Sequence, residues 1–429
     1  MRHWFSDLTA FRRDPLTLFL KSGIAASEPL VPLALGPDPV YLVTDPDAVR
    51  PLLKAAEEDA DKGRLIHKLR SVVGKSSLTI SGAEHRLRRE ALHAHLAKGT
   101  VERLTTPMAA EIRAVGARLI KDKRFDPCAE MALLALKMIC IVLFGREVLS
   151  PADEQALVKA VRMAEDDVAD ELFRVLPLMP WAKYKRDKKR EFTRETMNLI
   201  VRRVRSRAHD ASVLRALESA GLDDQELSNE ILTLLITGHH TTGASATWLL
   251  YHLATEPGLA DAIAEEAASL SDWNGEIRAD RLKNAPLSLA LVREVLRLYP
   301  SAWWFSRETK RTIEFGGRKL KRGTSLIIAP WHLHRDPRHW AEPDAFRLDR
   351  SYGSKAYLPF GLGPRACVGM GLAMLELQLI ALEFASAFSF GCVTPFPAAR
   401  PVPSVTLIPP EMQIEIRVRE AARAQSSAA

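Results

Sequence analysis

The sequence predicts a mainly α fold with small β-sheets, organised as a single domain over residues 1–429. Three observations predict it. Apolar residues recur at helical spacing through most of the chain. Short alternating runs stand towards both of its ends. No internal repeat or low-complexity linker divides it, which fits one mixed domain better than two independent ones.

Met1 to Gly23 scatters charges through MRHWFSDLTAFRRDPLTLFLKSG, with no secretory core and no small-residue cleavage site. The expectation is mature cytoplasmic protein. Residues 29–43 hold two apolar runs around Gly36-Pro37-Asp38, the pattern of a hairpin. From Pro46 to Leu291 the spacing is helical, most clearly over Met131–Phe144 and Glu230–Ala254. A second hairpin is expected over Thr312–Ile328, turning at Gly316-Gly317 and again near Lys321–Gly323. Pro330 to Pro364 is rich in Pro, Asp and His and reads as loop. An apolar helix follows over Val368–Phe388, then strand-like alternation over Val402–Val418. The last ten residues, EAARAQSSAA, are expected to be disordered.

Hydrophobic residues make up 47% and charged residues 26%, ordinary values for a globular chain long enough to enclose a pocket. No bilayer-length apolar run is free of polar residues, so no integral membrane segment is expected. The net charge is +7, but bases and acids are interspersed. The densest run, KYKRDKKR at Lys183–Arg190, reads as a solvated loop and helix start. No nucleic-acid module accompanies it, which argues against nucleic-acid binding. Positive charge elsewhere suits an acidic protein partner. The four cysteines, Cys128, Cys140, Cys367 and Cys392, form no CxxC pair. Their spacing suits neither a zinc site nor a disulfide framework, and fits a reducing compartment.

The chemistry concentrates in Phe360-Gly361-Leu362-Gly363-Pro364-Arg365-Ala366-Cys367-Val368-Gly369. Gly361 and Gly363 permit sharp turns, and Cys367 enters a helix N-terminus, where the dipole and free N–H groups favour a thiolate. A cysteine met alone is more often a buried apolar side chain. Here the whole pattern FGLGPRACVG resembles the haem-binding loop FxxGxRxCxG of the cytochrome P450 family. The resemblance implies haem b, with Cys367 as the iron's axial ligand. It also implies Arg365 on a propionate and Phe360 beside the sulfur.

The likeness extends along most of the chain. Glu294 and Arg297 in LVREVLRLYP resemble the family's ExxR pair, three apart on one helix face. Arg350 would complete a structural brace with them, following the HRDPRHWAEPDAF approach segment. His85 and Arg89 in GAEHRLRRE, otherwise a solvated basic helix, resemble two further propionate partners. Arg307 in YPSAWWFSR resembles another. Cations suit the site because buried carboxylates need charge-assisted hydrogen bonds.

Leu235 to Gly243, LITGHHTTG, resembles the oxygen-binding segment (A/G)Gx(D/E)T. Gly followed by Thr can open a helix locally. Thr241 takes the place of the proton-relay threonine, and His240 stands where an acid is usual. A metal pair at His239 and His240 is disfavoured because adjacent helical residues face apart. The substrate pocket, by resemblance, draws on Leu78, Thr233, Ile236, Thr237, Trp303, Trp304 and Phe305, although an aromatic triplet is more often core.

The resemblance implies insertion of one atom of O2 into an apolar terpenoid, fatty acyl or aromatic molecule. No flavin or iron–sulfur module is recognisable in the 429 residues. Electrons are therefore expected from a separate ferredoxin-type donor with its NAD(P)H-dependent reductase. Arg86 and Arg88 are candidates for the donor's docking surface, on the cysteine side of the haem. Peroxide-driven or rearranging chemistry, suggested by the missing acid, is one alternative, and non-catalytic haem-based sensing is another.

Overall fold

The computed structural model describes residues 6–54, 57–96, 102–174, 177–209, 212–272, 275–397 and 400–419. The tail over 420–429 lies outside the described residues. Two compact units emerge, each assembled from three chain segments. The first comprises residues 1–68, 293–367 and 401–408, and the second 69–292, 368–400 and 409–429.

The first unit is built on a five-stranded sheet. Leu30–Leu33 and Val40–Val43 form the expected antiparallel hairpin. Val40–Val43 then runs parallel to Ser325–Ile328, which pairs antiparallel with Phe305–Thr309. Ala60–Asp61 closes the far edge. Alternation along the strands feeds two cores. Val43, Leu326 and Ile328 join Leu53, Leu333 and Trp340 on one side. Leu42 and Ile327 join Leu16, Phe19 and Trp331 on the other. Apolar demand on both faces explains why SLII reads as a continuous run instead of alternating with polar residues.

The second unit is mostly helical. Its spine is Asp224–Thr255, opened by a capping box in which Asp223 accepts from the Glu226 N–H and the Glu226 carboxylate accepts from Asp223 N–H. It packs on Pro127–Phe144, which starts on the Asp126 cap with proline at its first position. Glycine permits the approach: a Cβ on Gly243 would stand 3.0 Å from the Ala132 Cα and 3.2 Å from the Met131 carbonyl oxygen. Met370–Ala387 adds a third apolar helix. A three-stranded antiparallel sheet of Arg124–Phe125, Gln413–Val418 and Phe388–Thr394 lies in the same unit.

The elements depart from expectation in three places. The second hairpin is shorter, pairing Ile313–Phe315 with Arg318–Leu320 through Gly316 and Gly317 at φ +57° and +72°. Ser325–Ile328 leaves that hairpin for the main sheet. KYKRDKKR is not a solvated run throughout. It lies on Pro180–Arg205, where Arg186 and Arg190 turn back onto Asp167 and Glu171 of Pro151–Phe173, with Arg190 2.8 Å from Glu171. The run's local composition gave no sign of those carboxylates. Among the described residues two helices, Pro127–Phe144 and Met370–Ala387, are long and apolar enough to cross a membrane. Most of each is buried within the protein, as a core helix is, and each carries charged residues such as Lys137 and Glu383.

Candidate functional site

In the first unit the cysteine loop is shaped by its glycines. Gly361 and Gly363 take φ +66° and +75°, a region where L side chains are strained. Gly363 carries a second constraint, since a Cβ there would stand 2.2 Å from the Leu53 carbonyl oxygen. The loop closes when the Cys367 N–H donates to the Phe360 carbonyl at 2.8 Å. Cys367 is exposed and stands just ahead of the helix Met370–Ala387. Cys128 and Cys140 differ in kind: burial pushes their thiols up to about 11 and about 12, so both stay neutral. Neutral thiols make poor ligands.

Two arginines of the same unit bear on the cofactor question. Arg365 is 4% exposed at its side chain and pairs with Glu57 at 2.7 Å and Asp61 at 3.4 Å. Arg307 is buried, and its guanidinium donates to the Ser306 carbonyl at 2.9 Å. Among the described residues no carboxylate stands within ion-pair distance of it. Burial, then the charge of Arg365, pushes Arg307 down to about 10. A buried cation under that pressure is suited to an added carboxylate. An accessible thiol and an anion-seeking guanidinium are the donor set that a haem with propionates requires, so these residues fit it.

Glu294 is the centre of a buried hydrogen-bond network. Arg297 donates two hydrogen bonds to it at 2.8 Å, with both side chains fully buried. Arg350 Nε, Tyr352 Oη and the Arg347 N–H complete its shell at 3.0, 2.9 and 3.0 Å. Arg297 reaches on to the carbonyls of His334 and Ala345 at 2.9 and 3.0 Å. Burial alone would raise the Glu294 carboxyl, but Arg297 holds it below the usual value. Every donor around Glu294 has an acceptor, which is what makes a buried charge tolerable.

In the second unit, His85 and Arg89 lie on the helix Gly82–His95, His85 buried and Arg89 half-buried. Arg89 stands 3.0 Å from the His93 ring. Arg88 corrects an expectation. It is buried, not part of a docking face, and binds Glu84 at 2.6 Å, Glu226 at 2.7 Å and Glu230 at 3.4 Å. Arg86 is exposed.

The spine helix runs unbroken through LITGHHTTG. Thr241 Oγ1 donates to the Thr237 carbonyl at 2.7 Å, and Thr237 Oγ1 to the Thr233 carbonyl at 2.8 Å. Such back-bonding loosens the ladder without opening it. Gly238 also has a packing role, since a Cβ there would stand 3.1 Å from Ile139. The two histidines meet where adjacent positions were expected to face apart. Glu165 of Pro151–Phe173 lies 2.8 Å from His239 Nδ1 and 2.9 Å from His240 Nε2. Sequence reasoning missed Glu165 altogether.

Of the pocket candidates, Trp303 is fully buried in a core of aromatic neighbours, its Nε1–H donating to the Ser404 carbonyl at 2.9 Å. Thr233 is buried and donates to the Asn229 carbonyl at 2.8 Å. Leu78, Ile236, Trp304 and Phe305 are half-buried, and Thr237 is exposed.

A family model described as Cytochrome P450 matches residues 24–416. The chain is 29% identical to cyclooctatin synthase of Streptomyces melanosporofaciens, over 94% of this chain and 89% of that one. It is 27% identical to pentalenene oxygenase of Streptomyces avermitilis, over 95% and 93%. A 6-coordinated cytochrome P450 from Thermus thermophilus superposes with a TM-score of 0.76 at 27% identity, covering 94% of this chain and 98% of that one.

Proposed function

The chain belongs to the cytochrome P450 family and is a monooxygenase, and from that premise we propose that it oxidises an apolar, terpenoid-type small molecule with electrons from a separate ferredoxin-type donor and its NAD(P)H-dependent reductase. The observation that carries the reading is the cysteine loop, with an accessible Cys367 on a glycine-turned backbone in a unit that also holds the buried cation Arg307. Haem b, when bound, supplies the activation of O2. Cys367 would hold its iron through sulfur, and Phe360 would pack beside that sulfur. Arg307 and Arg365 would hold propionate in the first unit, and His85 and Arg89 are the further propionate partners proposed in the second.

The remaining work falls to the spine helix and the half-buried apolar side chains. Thr241 and His240 hold the proton that the reaction consumes. Leu78, Ile236, Thr237, Trp304 and Phe305 contribute the substrate wall, while Thr233 and Trp303 are left to the core by their burial. A relative named for pentalenene, a hydrocarbon, supports the apolar class. The reading also places the protein in the cytoplasm and treats residues 1–429 as one domain, supported by the interleaving of its two units along the chain.

The test is spectroscopic. Reduced protein under carbon monoxide is expected to show the red-shifted band of a thiolate-ligated haem, and Cys367→Ala is expected to lose it. Survival of the band in that variant would overturn the assignment. Terpenoid hydrocarbons are expected to shift the ferric iron from low to high spin. His240 in the acid's position favours one second reading, peroxide-driven turnover. Comparing product formed from H2O2 with product formed from NAD(P)H and a donor separates the two.

A further inference from the structure

The cluster at Glu165 joins two helices that are distant in sequence. One carboxylate, 9% exposed, presents a different oxygen to each of two imidazoles: Oε1 to His239 Nδ1 and Oε2 to His240 Nε2. His239 is 8% exposed at its side chain and His240 38%, so one ring is locked inside and the other is accessible. Burial would raise the Glu165 carboxyl, but the two imidazoles outweigh it and hold it below the usual value. An ionised carboxylate only accepts hydrogen bonds. Each ring nitrogen that faces it must therefore carry a hydrogen.

We infer that Glu165 is the positioning residue for His240: it supplies from the helix Pro151–Phe173 the carboxylate that the segment LITGHHTTG lacks, and fixes His240 as its Nε2–H tautomer. The inference rests on the monooxygenase reading and deepens it. With Nε2–H donating to Glu165, Nδ1 keeps a lone pair, and it has no hydrogen-bond partner among the described residues. A proton from solvent can add there, giving an imidazolium whose charge sits against Glu165. Released from the same Nδ1, that proton leaves the starting tautomer, so the ring need not turn over and the Nε2–H bond to Glu165 survives both steps. The arrangement inverts the usual polarity. The helix carries the base, and the acid comes from outside it, while Thr241 stays next in sequence. Hydrogen bonding to an ionised partner is the ordinary means by which a protein sets a histidine's tautomer.

The experiment compares wild type, Glu165→Gln and the exchanged pair Glu165→His/His240→Glu as reduced carbon-monoxide holoenzymes. Imidazole 15N–1H correlation spectra of histidine-labelled protein read the tautomers. Peroxide released per NAD(P)H consumed reads proton delivery. Wild type is expected to show His239 as Nδ1–H and His240 as Nε2–H. A glutamine can accept from only one ring, so Glu165→Gln is expected to change the tautomer signature of at least one of them and to raise peroxide release several-fold. The exchanged pair is expected to bring release back towards wild type, which a merely structural contact would not do. Unchanged tautomers, or unchanged peroxide release, in Glu165→Gln overturns the inference. So does one equivalent of zinc retained by wild type and lost from Glu165→Gln, which would make the cluster a metal site. Absence of the thiolate band in wild type is a separate result, and it defeats the proposed function instead.

Discussion

Glu376 is a carboxylic acid placed where a charge is unwelcome. It is buried on Met370–Ala387 and accepts a hydrogen bond from Thr242 Oγ1 at 3.3 Å. Burial pushes its carboxyl up from an ordinary 4.5 to about 8, and the threonine offsets this only in part. The folded state therefore keeps a proton that the unfolded chain has released. The stability this group contributes is full below about 4.5 and is lost as pH rises through about 8. Near the middle of that window the loss runs at about 1.4 kcal/mol per pH unit. Glu376→Gln, which keeps an acceptor for Thr242, is expected to flatten the fall in unfolding free energy by that slope. Denaturant titrations at several pH values between these limits check it. A residual slope belongs to Glu383, which burial raises to about 7. Single residues of this kind were the least legible part of the sequence. Cys367, Glu294 and Arg297 announced themselves because their partners lie within a short motif or a helix turn. Glu165 did not, because 74 residues separate it from His239 and no local pattern links them.

Helices were legible as elements where their apolar spacing was local, as over Met131–Phe144 and Glu230–Ala254. What joins them was not. RLRRE reads as a solvated basic face, yet Arg88 points inward from Gly82–His95 and fastens it to the spine through Glu226 and Glu230, residues 138 and 142 positions away. Glu230 is fully buried, so removing Arg88 strands a charge. Breaking a buried pair from one side costs about 3–5 kcal/mol, whereas an exposed charge is worth about 0–1 kcal/mol. Arg88→Met is therefore expected to lower the unfolding free energy by about 3–5 kcal/mol. Arg86→Met on the same helix is expected to leave it within about 0.5 kcal/mol. Parallel denaturant curves decide between them, and equal losses would show that Arg88 does not anchor the helix. Strand pairing was hidden in the same way. The strand Phe305–Thr309 was not read from the sequence, because its partners, Ser325–Ile328 and Ala60–Asp61, are contributed by other segments.

At the scale of the whole molecule, charge is the property that the sequence states most directly and places least well. A net charge of +7 favours encounter with an acidic donor whatever the local geometry. The fold then sorts the basic residues. Arg88, Arg186 and Arg190 are committed to carboxylates within the protein. Arg86 remains exposed on Gly82–His95, and Lys183, Lys185 and Lys189 remain exposed on Pro180–Arg205. These two helices are candidates for the place where a donor arrives, and only one of them carries His85 and Arg89. Electrostatic steering acts mainly on the encounter rate and weakens as salt shortens the range of the field, to about 10 Å at 0.1 M. Reduction by an acidic ferredoxin-type donor, followed by stopped flow, is expected to slow on the order of tenfold between low and physiological ionic strength. Arg86→Glu is expected to slow it further at low salt and to flatten the salt dependence. The triple change Lys183→Glu, Lys185→Glu, Lys189→Glu lowers the net charge by more, so a larger effect from Arg86→Glu alone would mean local docking and not bulk charge. If the triple variant slows reduction and Arg86→Glu does not, the donor approaches the helix Pro180–Arg205. If neither does, the donor is not recognised through charge on either helix.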